Sequence, residues 1–357
     1  MRIRYFEYRL RSSEAEKFLS LPAGPDRLRK GFMKIGLLAP GGEFLDAIFE
    51  GLKQQLHGDM LVRWQPGAAP PDPSIEVLLA AGSVNRSLME RLPDLAFIQT
   101  LSDGYEGIDL DAATELGIRV SNSPGDITGN ADSVAEYTIL LMLATARRLS
   151  VALASIRDPS IKKPGRGSSV IGANVCIVGI GSIGSKIAHR LLAFGARVTA
   201  VDRSPMHAPK FIPTCTPDKL KEAVADADFV VLSVRASQEN VHMIDAGVIG
   251  SMKKGAILIN IARGSLVDEQ ALYEAVRSGH LGGAGLDVEE HEPVPPNDPL
   301  LTLPQVFITP HQAGLTELNV RGTVEYVLHV LTSIKADLPI DSQLNNPANK
   351  RSASAED

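Results

Sequence analysis

The sequence predicts an α/β protein with parallel sheets in two domains, and three observations support this fold class. Short apolar runs alternate with longer amphipathic segments, which is typical of a parallel sheet covered by helices on both faces. A second, cleaner series of the same kind begins at Asn174. The chain has 357 residues, and single hydrophobic cores rarely grow past about 250 to 300 residues. We therefore expect two doubly wound parallel-sheet domains.

The first half of the chain contains the first series of strands and helices. Apolar runs predict strands, and apolar residues spaced three and four positions apart predict helices. The predicted strands are residues 34–39, 75–80 and 95–101, and the predicted helices are residues 44–55, 85–91 and 132–149.

The second half continues this alternation with clearer boundaries. Thr216 and Pro217 are typical of a helix start, as is Asp268, and Gly279 is typical of a helix end. The predicted strands are residues 175–179, 197–202, 229–234, 256–262, 283–288 and 306–309, and the predicted helices are residues 183–194, 217–225 and 269–278. At the two ends, residues 1–32 are predicted to be a poorly ordered extension and residues 341–357 a disordered tail.

Composition excludes several classes of function. Lys and Arg number 36 and Asp and Glu 42, for a net charge of -6, which argues against general nucleic-acid binding. The two cysteines, Cys176 and Cys215, have no ligand spacing, so no metal site is predicted. The longest apolar stretch, residues 134–146, is shorter than the roughly 20 residues that span a bilayer. We expect a soluble, cytoplasmic protein without nucleic-acid or membrane partners.

Three glycines form a G-x-G-x-x-G motif between an apolar strand and a helix. They are Gly179, Gly181 and Gly184, and the first of them ends the run VCIVG. The first glycine permits a tight turn, the second lets backbone amides approach a pyrophosphate, and the third allows the helix to pack closely on the strand. Glycines that only turn the chain are the alternative, but this context favours a dinucleotide site.

An acidic residue ends the next predicted strand. Asp202 follows Gly184 at close to the spacing of about 20 residues expected for the carboxylate that binds the ribose hydroxyls. A carboxylate there repels a 2′-phosphate, so NAD is favoured over NADP. Arg203 and Ser204 come next and would offer a phosphate-binding pair if Asp202 turned away.

Three charged or titratable residues lie at or just beyond the ends of predicted strands. They are Arg263, Glu292 and His311. In a doubly wound fold this is the edge of the sheet where ligands bind. Taken singly, such residues are more often members of surface ion pairs, so position alone leaves both interpretations open.

Four motifs make the chain similar to the D-isomer-specific 2-hydroxyacid dehydrogenase family. They are IVGIGSIG, INIARGSLVDEQAL, GAGLDVEEHEP and ITPHQAG, and the similarity extends from Met33 to about Ile334. The resemblance implies a flavodoxin-like substrate domain (residues 33–128 and 312–340) and a Rossmann NAD domain (residues 129–311), with a cleft between them. It also implies a homodimer formed mainly by the cofactor domains.

The resemblance implies roles for the three strand-end residues. Arg263 would bind the substrate carboxylate and polarise the C2 carbonyl, His311 would exchange the C2 hydroxyl proton, and Glu292 would pair with His311. Hydride removal builds positive charge at C2 unless the hydroxyl proton leaves, which requires a group that titrates near neutral pH. A neighbouring carboxylate raises the pKa of such a histidine, and the planar guanidinium of arginine suits a carboxylate.

Further residues are implied to contact the cofactor or the substrate. Asp103 and Gly104 match the family loop whose backbone amides hold the substrate carboxylate. Asp287 resembles the acid on the nicotinamide side of the cofactor, and capping of the strand end is its alternative role. The predicted cofactor-binding residues are Gly179, Gly181, Ser182, Ile183, Gly184, Asp202, Arg203, Ala262 and Asp287.

The chain departs from the family pattern at several positions. Asp103 stands where an apolar or small residue is commoner, so either its side chain faces away or the substrate is unusual. Glu289 stands where the family usually has an aromatic residue, and it is interpreted, with Glu290 and His291, as a solvated neighbour of the site. Arg235 stands where proline is frequent.

Together these features predict an NAD-dependent oxidoreductase that moves a hydride between NAD(H) and C2 of a small D-2-hydroxy or 2-keto acid. Glyoxylate, hydroxypyruvate and pyruvate are the expected substrates. An NAD(H)-sensing corepressor stays open, because such relatives keep the fold and the same three residues. A phosphite-type dehydrogenase also stays open, whereas formate is disfavoured because formate-oxidising relatives carry glutamine in place of Glu292.

Overall fold

A computed structural model describes residues 32–205 and 208–347. The predicted extension lies outside these residues except for Phe32, and so does the tail from residue 348 onward. The chain forms two compact units. One comprises the described residues up to Gly41, Leu52–Asn122 and the described residues from Val327, and the other comprises Gly42–Gly51 and Ser123–Tyr326.

The smaller unit contains a five-stranded parallel sheet. Its strands are β1 (Lys34–Leu38), β2 (Met60–Trp64), β3 (Val77–Ala80), β4 (Phe97–Thr100) and β5 (Arg119–Ser121). They lie in the order β2-β1-β3-β4-β5, which is the flavodoxin-like order. The predicted α/β class and the flavodoxin-like sheet are therefore confirmed.

The larger unit contains a seven-stranded sheet, which is also parallel. Its strands are β6 (Asn174–Val178), β7 (Arg197–Val201), β8 (Thr214–Cys215), β9 (Phe229–Leu232), β10 (Ile257–Asn260), β11 (Gly283–Leu286) and β12 (Val306–Ile308). The order is β12-β11-β10-β9-β6-β7-β8. This is the Rossmann order with one further strand, and the direction of winding reverses between β6 and β9, where such folds bind ligands.

Helices connect the strands of both sheets. The first three are α1 (Glu43–Gln55), α2 (Arg86–Glu90) and α3 (Leu110–Glu115). The remaining helices are α4 (Gly125–Thr128), α5 (Asn130–Ala146), α6 (Leu149–Arg157), α7 (Ser182–Ala193), α8 (Leu220–Ala225), α9 (Ala246–Ser251), α10 (Glu269–Arg277) and α11 (Glu317–Lys335).

The core of the larger unit lies on both faces of its sheet. Alternate residues of a strand point to opposite faces. In β6, Val175 and Ile177 join a cluster with residues of α5 and α7, whereas Cys176 and Val178 join a second cluster with residues of α8, α9 and α10. Burial on both faces explains why these strands are nearly continuous apolar runs.

The structure differs from the prediction at the helix over residues 132–149 and at elements with a weak sequence signal, such as β2. The predicted helix over residues 132–149 is two helices, because Arg148 takes a left-handed conformation with φ of 50° and separates α5 from α6. Strand β2 was not predicted, since four of its five residues are only half-buried and it contains Arg63. It lies at the edge of its sheet, where the apolar signal is weak.

Residues 312–326, which were predicted to join the smaller domain, group with the larger unit. There Thr316 Oγ1 lies 2.7 Å from Ser133 Oγ, and Asn319 Nδ2 donates to Asn130 Oδ1 at 3.2 Å. These side-chain bonds tie the start of α11 to the start of α5.

The prediction of a disordered tail is wrong for residues 341–347. Asn345 accepts a hydrogen bond from Val120 N at 2.8 Å and donates to Ile118 O at 3.0 Å, and Leu344 N donates to Val120 O. Strand β5 is an edge strand with backbone groups free to pair. The polar residues that suggested disorder therefore complete the hydrogen bonding of that edge.

No single helix in residues 32–205 and 208–347 has the length and apolar content to cross a bilayer. Helices α5 and α6 reach that length and apolar content only as a pair bent by 61°.

Candidate active site

The glycine motif forms the turn from β6 into α7. Gly179 has a φ of 96°, which favours glycine. A Cβ on Gly184 would lie 2.1 Å from Gly179 O, so the helix packs on the turn only because this residue is glycine. A Cβ on Gly181 would have no atom within 4 Å. The space beside Gly181 is therefore open to a ligand.

The start of α7 is suited to an anion. Its first turn, which includes Ser182 and Ile183, contains no acidic residue. Ser182 Oγ donates a hydrogen bond to Asp126 Oδ1 at 2.6 Å. Free N–H groups and the positive end of the helix dipole favour phosphate binding at such a terminus.

Asp202 follows β7 beside the glycine turn. Its Oδ2 accepts a hydrogen bond from Ile180 N at 2.9 Å, and its Oδ1 accepts one from Ser204 N at 2.8 Å. Arg203 is exposed and lies 3.8 Å from Glu239. The open space at Gly181, the helix terminus and this fixed carboxylate all fit a dinucleotide.

Arg263 lies in the segment that follows β10. The buried side chain of Asn260 holds this segment, because its amide donates to Arg263 O at 2.9 Å and its Oδ1 accepts from Ala262 N at 3.0 Å. Arg263 Nη1 also donates to Ala262 O at 2.7 Å. Asn260 was not singled out from the sequence, although its position at a strand end was a usable signal.

A glycine brings the Arg263 segment against the loop that carries Glu292. A Cβ on Gly264 would lie 1.9 Å from the carbonyl carbon of Glu289 and 2.2 Å from Glu290 N. Two backbone segments therefore touch at this point. The close approach joins two of the three predicted catalytic segments in one framework.

His311 and Glu292 form a hydrogen-bonded pair. His311 Nδ1 lies 2.8 Å from Glu292 Oε2, and about half of the histidine side chain is exposed. Glu292 Oε1 accepts a hydrogen bond from Glu289 N at 3.3 Å. The predicted pairing of these two residues is thus present, with the carboxylate fixed from its other side by the backbone.

Asp287 holds the turn that carries His311. Its Oδ1 accepts from Thr309 Oγ1 at 2.7 Å and from Gln312 N at 3.0 Å, and its Oδ2 accepts from Ala313 N at 2.8 Å. His311 has a φ of 48°, a left-handed conformation that few residues adopt. The buried carboxylate stabilises that conformation, which corresponds to the strand-end role foreseen as the alternative for Asp287.

The two partners shift each other's pKa. The hydrogen bond that His311 donates to Glu292 raises the pKa of His311 above its usual value, against burial and the charge of Arg263. Burial opposes ionisation of Glu292, but the hydrogen bond and charge of His311 outweigh it, so the pKa of Glu292 is lowered. The pair therefore favours an imidazolium beside a carboxylate.

The interpretation of Glu289 as a solvated residue is wrong. Its side chain is 6% exposed, and burial, followed by the charges of Glu292, Glu269 and Asp287, raises its pKa to about 8. The error came from reading a charged residue as exposed. The aromatic residue usual at this position was the available signal for burial.

The predicted substrate loop lies in the smaller unit after β4. Asn122 Nδ2 donates to Asp103 O at 2.8 Å and to Asp103 Oδ1 at 3.3 Å. Ser102 Oγ donates to Gly104 O at 3.0 Å. The Asp103 carboxylate is thus directed to Asn122.

Residues 32–205 and 208–347 contain no group of three or more His, Cys, Asp or Glu side chains arranged to hold a metal ion.

The glycine turn and the His–Glu pair both lie beyond the carboxyl ends of the strands of the Rossmann sheet. This combination is typical of a nicotinamide-dependent oxidoreductase. Comparison with known families agrees. The NAD-binding domain of D-isomer specific 2-hydroxyacid dehydrogenase matches residues 139–313, and the catalytic domain of the same family matches residues 73–196.

Curated relatives include two reductases. The chain is 35% identical to a glyoxylate reductase of Korarchaeum cryptofilum, over 72% of this chain and 79% of the relative. It is 36% identical to a hydroxypyruvate reductase of Thermotoga maritima, over 72% and 83%. It also matches a D-3-phosphoglycerate dehydrogenase of Methanocaldococcus jannaschii at 38% identity over 69% of this chain, but spans only 47% of that longer relative.

Solved structures show the same fold. The NADPH-dependent glyoxylate/hydroxypyruvate reductase of Sinorhizobium meliloti, in complex with NADP and malonate, has a TM-score of 0.75 and 27% identity, covering 87% of this chain and 96% of that one. D-Lactate dehydrogenase of Aquifex aeolicus, complexed with NAD and lactic acid, has a TM-score of 0.74 and 26% identity, covering 88% and 100%. The chain belongs to the D-isomer specific 2-hydroxyacid dehydrogenase family, and it is an oxidoreductase that uses a nicotinamide cofactor.

Proposed function

We propose that this protein reduces short 2-keto acids, such as glyoxylate or hydroxypyruvate, to D-2-hydroxy acids with NADH. The observation that carries the proposal is the His311–Glu292 pair. His311 follows β12, Glu292 follows β11, and His311 Nδ1 lies 2.8 Å from Glu292 Oε2. The names of the relatives from Korarchaeum cryptofilum and Thermotoga maritima support this substrate class.

His311 is the proposed proton donor. Because its Nδ1 is bonded to Glu292, the other ring nitrogen, Nε2, is the one available to a substrate oxygen. The raised pKa of His311 favours the form in which that nitrogen is protonated. The proton passes from Nε2 to the C2 oxygen as the carbonyl is reduced, and Glu292 stabilises the imidazolium beforehand.

Arg263 is the proposed anchor for the substrate carboxylate. A guanidinium presents two parallel N–H donors to a carboxylate and stays charged at all working pH values. Its positive charge also lowers the pKa of Glu292, so it helps to keep that partner ionised. The backbone amides of Asp103 and Gly104 are proposed to complete carboxylate binding.

The cofactor supplies the hydride to C2 when it is bound. Gly179, Gly181 and Gly184, with Ser182 and Ile183 at the start of α7, are proposed to hold the pyrophosphate. Ala262 and Asp287 are proposed to lie on the nicotinamide side. Each fits this role by its position at the end of a strand or at the turn into α7.

NAD is the proposed cofactor in preference to NADP. The support is the Asp202 carboxylate, which two backbone N–H groups fix beside the glycine turn and which would repel a 2′-phosphate. Relatives use either cofactor, since the Sinorhizobium meliloti reductase binds NADP and the Aquifex aeolicus dehydrogenase binds NAD in their solved complexes. The ratio of kcat/KM with NADH to that with NADPH tests the preference, and a ratio below one contradicts it.

A homodimer is the proposed assembly. Helix α6 has no buried residue, and the side chains of Leu153 and Ile156 are 46% and 79% exposed. Apolar side chains grouped on a helix without a core to cover them mark an interface. Light scattering on the eluting protein is expected to give twice the chain mass, and a monomer at all concentrations contradicts the proposal.

The test of the proposed reaction follows NADH absorbance with glyoxylate, hydroxypyruvate and pyruvate as substrates. Wild type is expected to turn over at least one of them, and His311→Asn is expected to lower kcat by roughly 100- to 10,000-fold. His291→Asn is the matched control, because His291 is an exposed histidine of the Glu292 loop.

Three outcomes would contradict the proposal. They are no turnover of any of these acids, equal rates for His311→Asn and wild type, and NADH-dependent association with a partner protein in the absence of turnover. The last result would favour a sensor of NADH over an enzyme.

A further inference from the structure

A buried carboxyl that has no assigned role lies in the loop that carries Glu292. The Glu289 side chain is 6% exposed, and its Oε1 has no hydrogen-bond partner among the residues that the structure describes. Burying a carboxylate without partners costs several kcal/mol, so the fold favours the neutral acid. Glu289 thus differs from Glu292, whose two oxygens are both bonded.

Glu289 is attached to both catalytic segments through its backbone. Its N–H donates to Glu292 Oε1 at 3.3 Å, and the other oxygen of that carboxylate holds His311. The peptide that follows Glu289 packs against Gly264, the neighbour of Arg263 in the chain. The backbone of Glu289 therefore connects the His311–Glu292 pair to the Arg263 segment.

Four charged groups shift the pKa of this carboxyl: Glu292 of its own loop, Asp287 after β11, Glu269 at the start of α10 and His311 after β12. The other charged residues nearby in the chain or across the Gly264 contact are Glu290 and His291 of the same loop and Arg263, which follows β10. Burial and then Glu292, Glu269 and Asp287 raise the pKa of Glu289 to about 8, and the charge of His311 opposes this. The pKa values of both the carboxyl and the histidine are thus raised above their usual values.

We propose that Glu289 is a positioning residue that regulates the proton of His311, as a neutral acid near neutral pH and as an anion at higher pH. When Glu289 releases its proton to solvent, the new negative charge stabilises the imidazolium of His311 and so extends keto-acid reduction to more alkaline pH. This inference rests on the proposed role of His311 as proton donor. An aromatic residue at this position cannot ionise, so it cannot shift the pKa of His311 in this way.

The test is a nuclear magnetic resonance titration of the His311 imidazole in the full-length protein without substrate. Glu289→Gln keeps the size of the side chain and removes its ionisation. We expect this variant to lower the midpoint of the His311 titration by roughly half a unit to one unit and to reduce two coupled steps to one. Glu289→Asp keeps a carboxyl and is expected to restore the coupled titration. Glu290→Gln is the matched control, because Glu290 is exposed and paired with His242.

The same shift is expected in the alkaline limb of kcat/KM for reduction, with the value at low pH unchanged. The titration needs no turnover, so it can succeed even if the proposed substrates are wrong. Superimposable His311 titrations for wild type, Glu289→Gln and Glu290→Gln would overturn the inference.

A measurement on wild type covers the case in which Glu289→Gln does not fold. In protein with carbon-13-labelled glutamate carboxyls, one resonance is expected to titrate near pH 8 and to persist in Glu269→Gln. If every glutamate carboxyl titrates in the ordinary range for glutamate, Glu289 has no regulatory charge and the inference fails.

Discussion

The glycine turn and the His311 turn lie at the same edge of the larger sheet but are held in different ways. The glycine turn depends on the absence of side chains, since Gly184 packs against the backbone of Gly179. The His311 turn depends on a side chain, because the carboxylate of Asp287 holds three donors around a left-handed histidine. The first kind of site is visible as a local motif, whereas the second requires residues far apart in the chain.

The largest effect is expected at the glycine turn. Gly184→Ala places a Cβ 2.1 Å from Gly179 O. This oxygen is a backbone atom, so relief of the clash requires a shift of the turn itself. The expected loss is at least about 3 kcal/mol in the free energy of unfolding, measured by urea denaturation.

Gly181→Ala is the matched comparison, because its Cβ meets no protein atom within 4 Å. We expect an unchanged free energy of unfolding and at least tenfold weaker NADH binding, read from NADH fluorescence. Normal stability for Gly184→Ala, or normal NADH binding for Gly181→Ala, would show that the two glycines do not have these separate roles.

At the His311 turn, Asp287→Asn replaces an acceptor of three hydrogen bonds with a group that also donates. Leaving buried N–H groups without an acceptor costs about 1 to 3 kcal/mol. A shift of the histidine by about 1 Å is expected to lower kcat about 100-fold.

Thr309→Val, which removes only one of the three donors, serves as the control and should give a smaller loss of both stability and kcat. Equal effects for the two variants would indicate that the carboxylate does not hold the backbone of the turn.

Much of the fold and part of the site could be predicted from the sequence because their signals are local. Burial on both faces made β6 and β9 continuous apolar runs, and the glycine turn has a fixed spacing. Edge strand β2, with Arg63 and half-buried neighbours, carried no such signal. The tail residue Asn345 looked disordered because its partners, at Val120 and Ile118, are more than 200 positions away.

The candidate site shows the same difference between local signals and contacts of residues far apart in the chain. Arg263, Glu292 and His311 were found at strand ends, whereas the hydrogen-bond partners of Asn260 and Asp287 are seen only when the segments after β10, β11 and β12 are brought together. Glu289 was misread because glutamate side chains are usually exposed, although the aromatic residue usual at this position pointed to the burial that the structure shows.

The stability of the protein is expected to depend on pH through Glu289. Its pKa is raised in the folded state, so the folded protein binds more protons than the unfolded chain between about pH 4.5 and pH 8, and this contribution to stability falls as pH rises. Glu289→Gln removes the effect. Relative to wild type, the free energy of unfolding of the variant should rise by about 3 to 4 kcal/mol between pH 5 and pH 8, measured by urea denaturation at each pH.

A difference between Glu289→Gln and wild type that stays constant with pH would mean that Glu289 does not titrate abnormally. Glu290→Gln, an exposed neighbour, is expected to show no such trend.

The smallest effect is expected from Glu292→Gln on the pH dependence of reduction. The lost hydrogen bond and charge lower the pKa of His311, so the alkaline limb of kcat/KM should move to lower pH. An unmoved limb would mean that Glu292 does not control the histidine.

The most direct measurement compares two pH curves for the wild-type protein, the nuclear magnetic resonance titration of His311 and kcat/KM for reduction of a 2-keto acid. Reduction requires the imidazolium, so kcat/KM should be constant at low pH and fall as pH rises through the pKa of His311, above its usual value of 6.5. Oxidation of the hydroxy acid should rise through the same pH. Coincidence of these pH values is the expected result, and a rate that falls at a pH where His311 does not titrate would contradict its role as proton donor.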